Sequence, residues 1–142
     1  MKILVAIDGS EPSLHAVKHT AELVHRLRAE PNAVTLISVH DDASLRHARS
    51  LVGREAIDDY LRELSEGELE PGHRLLDESG VKHDLVVRTG HVAQEIVAYA
   101  TQGAFDLIVL GAKGRGAVSD LLIGSVAQRV LATATTPVLL VR

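Results

Sequence analysis

The sequence contains no cysteine and no tryptophan, and tyrosine and phenylalanine together contribute only three residues. The lack of cysteine excludes disulfide bonds and catalytic thiols. Because aromatic residues make up 2% of the chain, the core must consist of aliphatic side chains, and stacking on nucleic-acid bases is disfavoured. The net charge of −4 argues further against nucleic acid as a partner. No apolar run approaches the roughly 20 residues that a membrane span requires.

The amino terminus lacks the features of a secretion signal. The first apolar run, Ile3 to Ile7, ends at Asp8, and no basic segment precedes an apolar stretch of the necessary length. A length of 142 residues with 46% hydrophobic residues suits one domain with a sizeable core. We therefore expect a single domain over residues 1–142, in a soluble cytoplasmic protein without a membrane partner.

Positive charge is concentrated near the carboxyl end of the chain. Residues 1–110 contain 11 Lys and Arg against 18 Asp and Glu, whereas residues 111–142 contain four against one. The basic excess begins at Lys113 and Arg115, which favours a small anionic ligand there. Four cations in this part of the chain are equally compatible with an ordinary solvent-exposed surface.

Strand-like and helix-like segments alternate along the chain. Short apolar runs rich in β-branched residues predict five strands at residues 2–8, 33–39, 81–88, 106–110 and 137–142. Helical spacing of apolar residues follows Ser10, the predicted N-cap of the first helix, and recurs in each later connection. The order βαβαβαβαβ predicts a parallel sheet with helices on both faces, which is a three-layer α/β fold. Such sheets bind ligands at the carboxyl ends of their strands, where the strand order reverses.

The connection between the second and third predicted strands, residues 40–80, is the longest. Residues 43–53 predict a loop or a short helix, and residues 54–64 have helical spacing. Gly67, Pro71 and Gly72 interrupt the pattern, so we expect a kinked helix or two short helices, with Gly80 as the C-cap.

A glycine-rich loop separates the fourth strand from the last helix. Its glycines fall as Gly111-x-x-Gly114, nine further residues, and then Gly124-Ser125. Backbone N–H groups and the positive end of a helix can bind an anion in such a loop. The spacing matches neither a P-loop nor a dinucleotide fingerprint, so the common phosphate motifs are absent.

Over its whole length the chain resembles the universal stress proteins of the UspA type. The resemblance rests on the opening ILVAIDGS, on ISVH at the end of the second strand, on the G-2x-G-9x-G-[ST] spacing and on the closing PVLLVR. It implies a doubly wound five-stranded parallel sheet with strand order 3-2-1-4-5 that binds an adenine nucleotide. It also implies that Val138 to Val141 form an edge strand. Because an exposed apolar edge invites pairing, we predict a homodimer in which two such strands meet antiparallel.

The resemblance assigns roles to individual residues. Gly111 and Gly114 would lie along the ribose and phosphates, and Gly124, Ser125 and Val126 would hold phosphate at the start of the last helix. Asp8 would lie beside the nucleotide or its Mg²⁺, and Val39 would contact adenine.

The residues themselves extend these assignments and leave alternatives open. Lys113 and Arg115 can add positive charge, and Ala6 with Val39 can hold adenine through aliphatic contacts, since no aromatic residue is near. A tight turn alone would also explain Gly111 and Gly114. Asp8 is either a nucleotide or Mg²⁺ contact or a cap of the following helix. We further expect the order of residues 115–123 to depend on nucleotide.

We interpret the sequence as a universal stress protein that binds ATP, or ADP or AMP, with or without Mg²⁺, and acts as a dimeric regulatory module. No residue other than Asp8 is placed as a general base, so hydrolysis should be slow or absent. A slow ATPase or nucleotide-dependent switch and a nucleotide-free dimeric adaptor are the alternatives. Among the eight histidines, His15 and His19 share a helix face, which indicates a surface pair rather than a metal site.

Overall fold

A computed structural model of the chain describes residues 1–27, 31–114 and 122–142, apart from the side chains of residues 42, 44 and 48. Ten elements follow one another in these residues: β1 Lys2–Ala6, α1 Glu11–Arg26, β2 Ala33–Asp41, α2 Asp42–Val52, α3 Arg54–Glu78, β3 His83–Gly90, α4 Val92–Gln102, β4 Leu107–Gly111, α5 Ser125–Thr133 and β5 Val138–Val141. The five strands form one sheet in the order β3-β2-β1-β4-β5. Every neighbouring pair is parallel, so the predicted fold class and strand order are confirmed.

The turn between β1 and α1 forms as the sequence predicts. Gly9 has φ 78°, which a residue with a side chain rarely adopts. Ser10 is the N-cap of α1, and its side chain accepts a hydrogen bond from the Ser13 amide. Glu11 and Pro12 occupy the first turn, where an acidic side chain and a residue without an N–H group are both favoured.

The central strands β1, β2 and β4 are buried on both faces because α1 and α3 cover one face and α4 and α5 cover the other. Alternate residues of β1 face opposite ways, so Ile3 and Val5 join the first core while Leu4 joins the second. The helices complete the two cores with aliphatic residues, among them Val17, Leu69, Leu76, Ile96, Ala100 and Val130. An aliphatic core is what the shortage of aromatic residues requires.

The structure decides between the alternatives predicted for residues 43–80. Residues 42–52 form helix α2, but α3 is one helix of 25 residues with Pro71 inside it, not two short helices. Proline removes one helical hydrogen bond, yet the buried face of α3 continues past it through Gly72 and Leu76, and this packing holds the helix together. Among the described residues, no helix combines the length and apolarity needed to cross a bilayer.

The carboxyl end of α3 also differs by one position from the prediction. Ser79 is the C-cap, and Gly80 follows it with φ 67°. The Gly80 amide donates to the Asp77 carbonyl and the Val81 amide to the Leu76 carbonyl, so the last carbonyls of the helix are satisfied. Val81 therefore belongs to this cap, and β3 begins at His83 instead of Val81.

Strands β2 and β3 extend further at their carboxyl ends than hydropathy predicts. Their parallel ladder continues to the pairs His40↔Thr89 and Asp41↔Gly90, where the residues are polar. His40 and Ser38 face α3 and are buried together with Ser65 and Glu68. The Ser38 hydroxyl donates to Oε2 of Glu68 over 2.7 Å, and Nε2 of His40 lies 2.7 Å from Oγ of Ser65. The alternation of β2 directs Val39 to the opposite face.

Candidate functional site

A cavity of about 480 Å³ opens at the carboxyl ends of the central strands, on the side of the sheet that α4 and α5 cover. Its walls come from the ends of β1, β2 and β4, from the loop after β4, and from the first turns of α4 and α5. The strand order reverses between β1 and β4, which is where doubly wound sheets bind ligands. The volume falls within the roughly 300–1,000 Å³ of small-molecule sites.

The structure brings nine of the ten sequence-predicted site residues together around this cavity. They are Ala6, Asp8, Val39, Gly111, Lys113, Gly114, Gly124, Ser125 and Val126. The tenth, Arg115, lies outside the described residues, as do residues 116–121 of the segment 115–123 whose order we expect to depend on nucleotide. Residues as far apart in sequence as Ala6 and Val126 thus share one site, because the parallel strands end at the same edge of the sheet.

Asp8 is held in place by the turn that follows β1. Its Oδ1 accepts hydrogen bonds from the amide and the hydroxyl of Ser10, and its amide donates to Oγ of Ser13 over 3.4 Å. Ser10, not Asp8, caps α1 directly. The second oxygen, Oδ2, lies beside Gly114, so this carboxylate connects the end of β1 to the glycine loop.

Gly111 and Gly114 are required for different reasons. A Cβ atom on Gly111 would stand 2.7 Å from the carbonyl carbon and oxygen of Pro12, which is closer than atoms approach without moving the backbone. Gly111 therefore allows the end of β4 to pack against the start of α1, and this is a structural role. A Cβ atom on Gly114 would instead meet Oδ2 of Asp8 at 3.1 Å, inside the site itself.

The amino terminus of α5 faces the cavity without a side-chain cap. Gly124 is its N-cap residue, and its own amide donates to the Ala112 carbonyl over 2.8 Å, so that amide is engaged within the loop. The next three amides, of Ser125, Val126 and Ala127, have no acceptor within the helix. Together with the helix dipole they form a site suited to an anion.

The cavity has an apolar half that the sequence interpretation described incompletely. Beside Ala6 and Val39 it is lined by Ile37, Leu110, Val92 and Ile96. Val92 and Ile96 are four residues apart on α4, so the sequence predicts that they share a helix face. Only the tertiary fold shows that α4 covers the carboxyl end of β2. Ile7, Ser13, Leu122, Ile123 and Ala127 complete the lining. No described lining residue is aromatic, which agrees with aliphatic contacts to any bound ring.

The comparisons with known proteins show that the chain belongs to the universal stress protein family, whose family model matches residues 1–142. Universal stress protein MJ0531 of Methanocaldococcus jannaschii is 35% identical over 141 residues, which cover 99% of this chain and 81% of that protein. The solved structure of MJ0577 from the same organism has a TM-score of 0.83 at 26% identity and covers 99% of this chain and 94% of its own.

Three more distant structures share the fold and hold adenine nucleotides. A universal stress protein family protein of Arabidopsis thaliana with AMP bound has a TM-score of 0.69 at 19% identity, covering 99% and 90% of the two chains. The Archaeoglobus fulgidus universal stress protein in complex with dAMP has a TM-score of 0.63 at 21% identity and covers 100% of this chain and 98% of its own. A universal stress protein in complex with cAMP has a TM-score of 0.67 at 20% identity and covers 100% of this chain and 96% of its own.

Proposed function

We propose that this chain binds ATP, or the related nucleotides ADP and AMP, in the cavity at the carboxyl ends of β1, β2 and β4. The observation that carries the proposal is the division of that cavity into an aliphatic half and an anion-binding half. The first contains Ala6 and Val39, and the second contains the uncapped start of α5. Family membership and the nucleotide-bound relatives support the same ligand class.

In this proposal the phosphates lie at the amino terminus of α5. The amides of Ser125 and Val126 and the hydroxyl of Ser125 donate to phosphate oxygens, and the helix dipole favours the negative charge. Lys113, which also lines the cavity, adds positive charge on the same side. Arg115 is proposed for the same role on the basis of sequence alone.

Adenine occupies the apolar half in the same proposal. Ala6 and Val39 lie on neighbouring strands and both point to the face that α4 covers, so they can contact one side of a flat ring. Aliphatic burial of the ring contributes about 25 cal/mol for each Å² removed from water. The ribose lies between the two halves, beside the backbone of Gly111 and Gly114, which both line the cavity.

The residues also fit a Mg²⁺ ion that accompanies a nucleoside triphosphate. Asp8 offers a carboxylate on the cavity wall beside Gly114, and Mg²⁺ is usually bound by one or two carboxylates together with substrate phosphates. Such an ion would neutralise part of the phosphate charge. Asp8 itself is oriented by Ser10, so its position does not depend on the ion.

We further propose that the protein acts as a regulatory module rather than as an enzyme, and as a homodimer through β5. Strand β5 is at the edge of the sheet, pairs only with β4 among the described strands, and consists of the half-buried aliphatic residues Val138 to Val141. An edge of this kind can pair with a second copy of itself.

Isothermal titration with ATP, AMP and cyclic AMP tests the nucleotide proposal. We expect heat and a saturable 1:1 isotherm for at least ATP, and loss of binding in Gly124→Val, because branched methyl groups would enter the gap between Gly124 and Gly114. Gly67→Val is the matched control, since a Cβ at Gly67 on α3 meets nothing within 4 Å. No heat from any of the three nucleotides would favour the nucleotide-free adaptor.

A further inference from the structure

A second cluster of possible ligand atoms lies at the opposite end of the sheet from the cavity. His73 and Asp77 stand four residues apart near the end of α3, and His83 is the first residue of β3. One ligand atom from each of the three lies within 4.8 Å of the others. No local sequence pattern reveals this cluster, because its third member comes from a different element, beyond the Gly80 turn.

The hydrogen bonds of His83 prepare it to act as a metal ligand. Its Nδ1 lies 2.8 Å from the Val81 carbonyl oxygen, which can only accept, so Nδ1 carries the proton. In the neutral ring Nε2 then has a free electron pair directed at His73. A backbone acceptor that fixes the tautomer in this way is the usual partner of a histidine that binds a metal ion.

The remaining contacts favour a cation in the cluster. Nδ1 of His73 lies 2.7 Å from Nε2 of His83, so the two rings share one proton there. When His73 donates that proton in its neutral form, its Nε2 is an acceptor that faces Oδ2 of Asp77 at 3.4 Å, and two acceptors then confront each other. A metal ion that takes the place of the shared proton removes this mismatch, because Nε2 of His73 then carries the ring proton and can donate it to Asp77.

We propose that His73, Asp77 and His83 form a binding site for a divalent transition-metal ion, with Zn²⁺ as the best fit. Two imidazoles and one carboxylate are donors that Zn²⁺ accepts, and a water molecule can complete the tetrahedron. Neighbouring nitrogen ligands of tetrahedral zinc lie about 3.3 Å apart. The two histidine nitrogens, now 2.7 Å apart, need to separate only slightly.

The location leaves the site accessible. The side chain of His73 is 38% exposed and that of Asp77 is 62% exposed, so an ion can enter without any backbone movement. Strand β3 forms the edge of the sheet opposite β5, and His83 is at its amino end. The metal site is therefore independent of both the nucleotide cavity and the proposed dimer interface.

Zinc titration of the full chain without an affinity tag tests this proposal. We expect one high-affinity Zn²⁺ per chain in competition with a chromophoric chelator, and at least about tenfold weaker binding in His73→Gln and His83→Gln. The double variant His15→Gln/His19→Gln is the matched control, because it removes two histidines four residues apart from α1 and should bind zinc normally.

A second measurement guards against misfolded variants. Asp77→Asn changes an exposed side chain, so the fold should persist, and the rise in unfolding temperature that zinc gives the wild type should become smaller. Absence of zinc binding at 100-fold molar excess would overturn the proposal. Unchanged affinity in a folded His83→Gln variant would overturn it as well.

Discussion

Oδ2 of Asp8 lies 3.1 Å from the point where a Cβ atom on Gly114 would stand. The turn after β1 and the glycine loop after β4 therefore lie next to each other, on either side of the position where the strand order reverses. The other oxygen of Asp8 is bound by Ser10, so the carboxylate has little freedom to move away. The site therefore has a rigid wall at the point where the proposed phosphates and Mg²⁺ would meet the protein.

Gly114→Ala should weaken nucleotide binding without unfolding the protein. The new methyl group would displace Oδ2 of Asp8 by a few tenths of an ångström, which disturbs a charged contact without filling the core. We expect affinity for Mg-ATP to fall about three- to tenfold, equivalent to the partial loss of one charge-assisted interaction. Titration calorimetry measures the change, and Gly67→Ala on α3 should leave affinity as in the wild type.

Asp8→Asn should remove the Mg²⁺-dependent part of ATP binding together with any ATP hydrolysis. The amide oxygen of asparagine can still accept from Ser10, so the turn should survive and the unfolding temperature should stay close to that of the wild type. The carboxylate charge is lost, so the part of the ATP affinity that depends on Mg²⁺ should disappear. Any ATP hydrolysis seen in single-turnover assays of the wild type should disappear with it. Persistent hydrolysis in this variant would assign the reaction to another group.

Leu140→Pro should convert the proposed dimer to a monomer. The carbonyls of Pro137 and Val141 accept from Ile108 and Ala112, so odd-numbered residues of β5 pair with β4, and the Leu140 amide points to the open edge. Proline removes that amide, which an edge strand tolerates when it faces outwards.

Leu140→Ala is the control for this experiment because it shortens the same side chain and keeps the amide. Sedimentation velocity should find a monomer for the proline variant and a dimer for the alanine variant. A wild-type monomer, or a dimer that survives the proline substitution, would show that β5 does not form a dimer interface.

Two glycines of α3 should respond oppositely to alanine. A Cβ on Gly72 would stand 2.7 Å from Cδ1 of Ile7 and 3.2 Å from Cδ1 of Leu36. Gly72→Ala therefore overpacks the core and should lower the free energy of unfolding by about 1–3 kcal/mol. Gly67 faces open space, so Gly67→Ala should increase the free energy of unfolding by up to about 1 kcal/mol. Urea denaturation measures both changes. Equal stability of the two variants would show that the contact at Gly72 relaxes without cost.

Hydrophobic periodicity was sufficient to predict most of the helices and strands, but it did not predict all of their first and last residues. The bounds of α5, residues 125–133, and the cap at Ser10 follow from local signals, because capping involves only neighbouring residues. The extension of β2 to Asp41 and the start of β3 at His83 depend on pairing between strands, which hydropathy does not encode. Whether α3 continues through Pro71 could not be decided from the sequence, since proline weakens a helix locally while long-range packing holds it together.

The amino-acid sequence by itself determined the alternation of strands and helices, the aliphatic core, the family and the spacing of the glycine motif. These features are local or compositional, so each can be read along the chain. Only the tertiary structure decided that nine separate site residues share one cavity, and that Gly111 makes room for Pro12 while Gly114 faces Asp8. It alone also brought His73 and His83 together. Each of these depends on which elements become neighbours, and that is set by the packing of helices on a twisted parallel sheet.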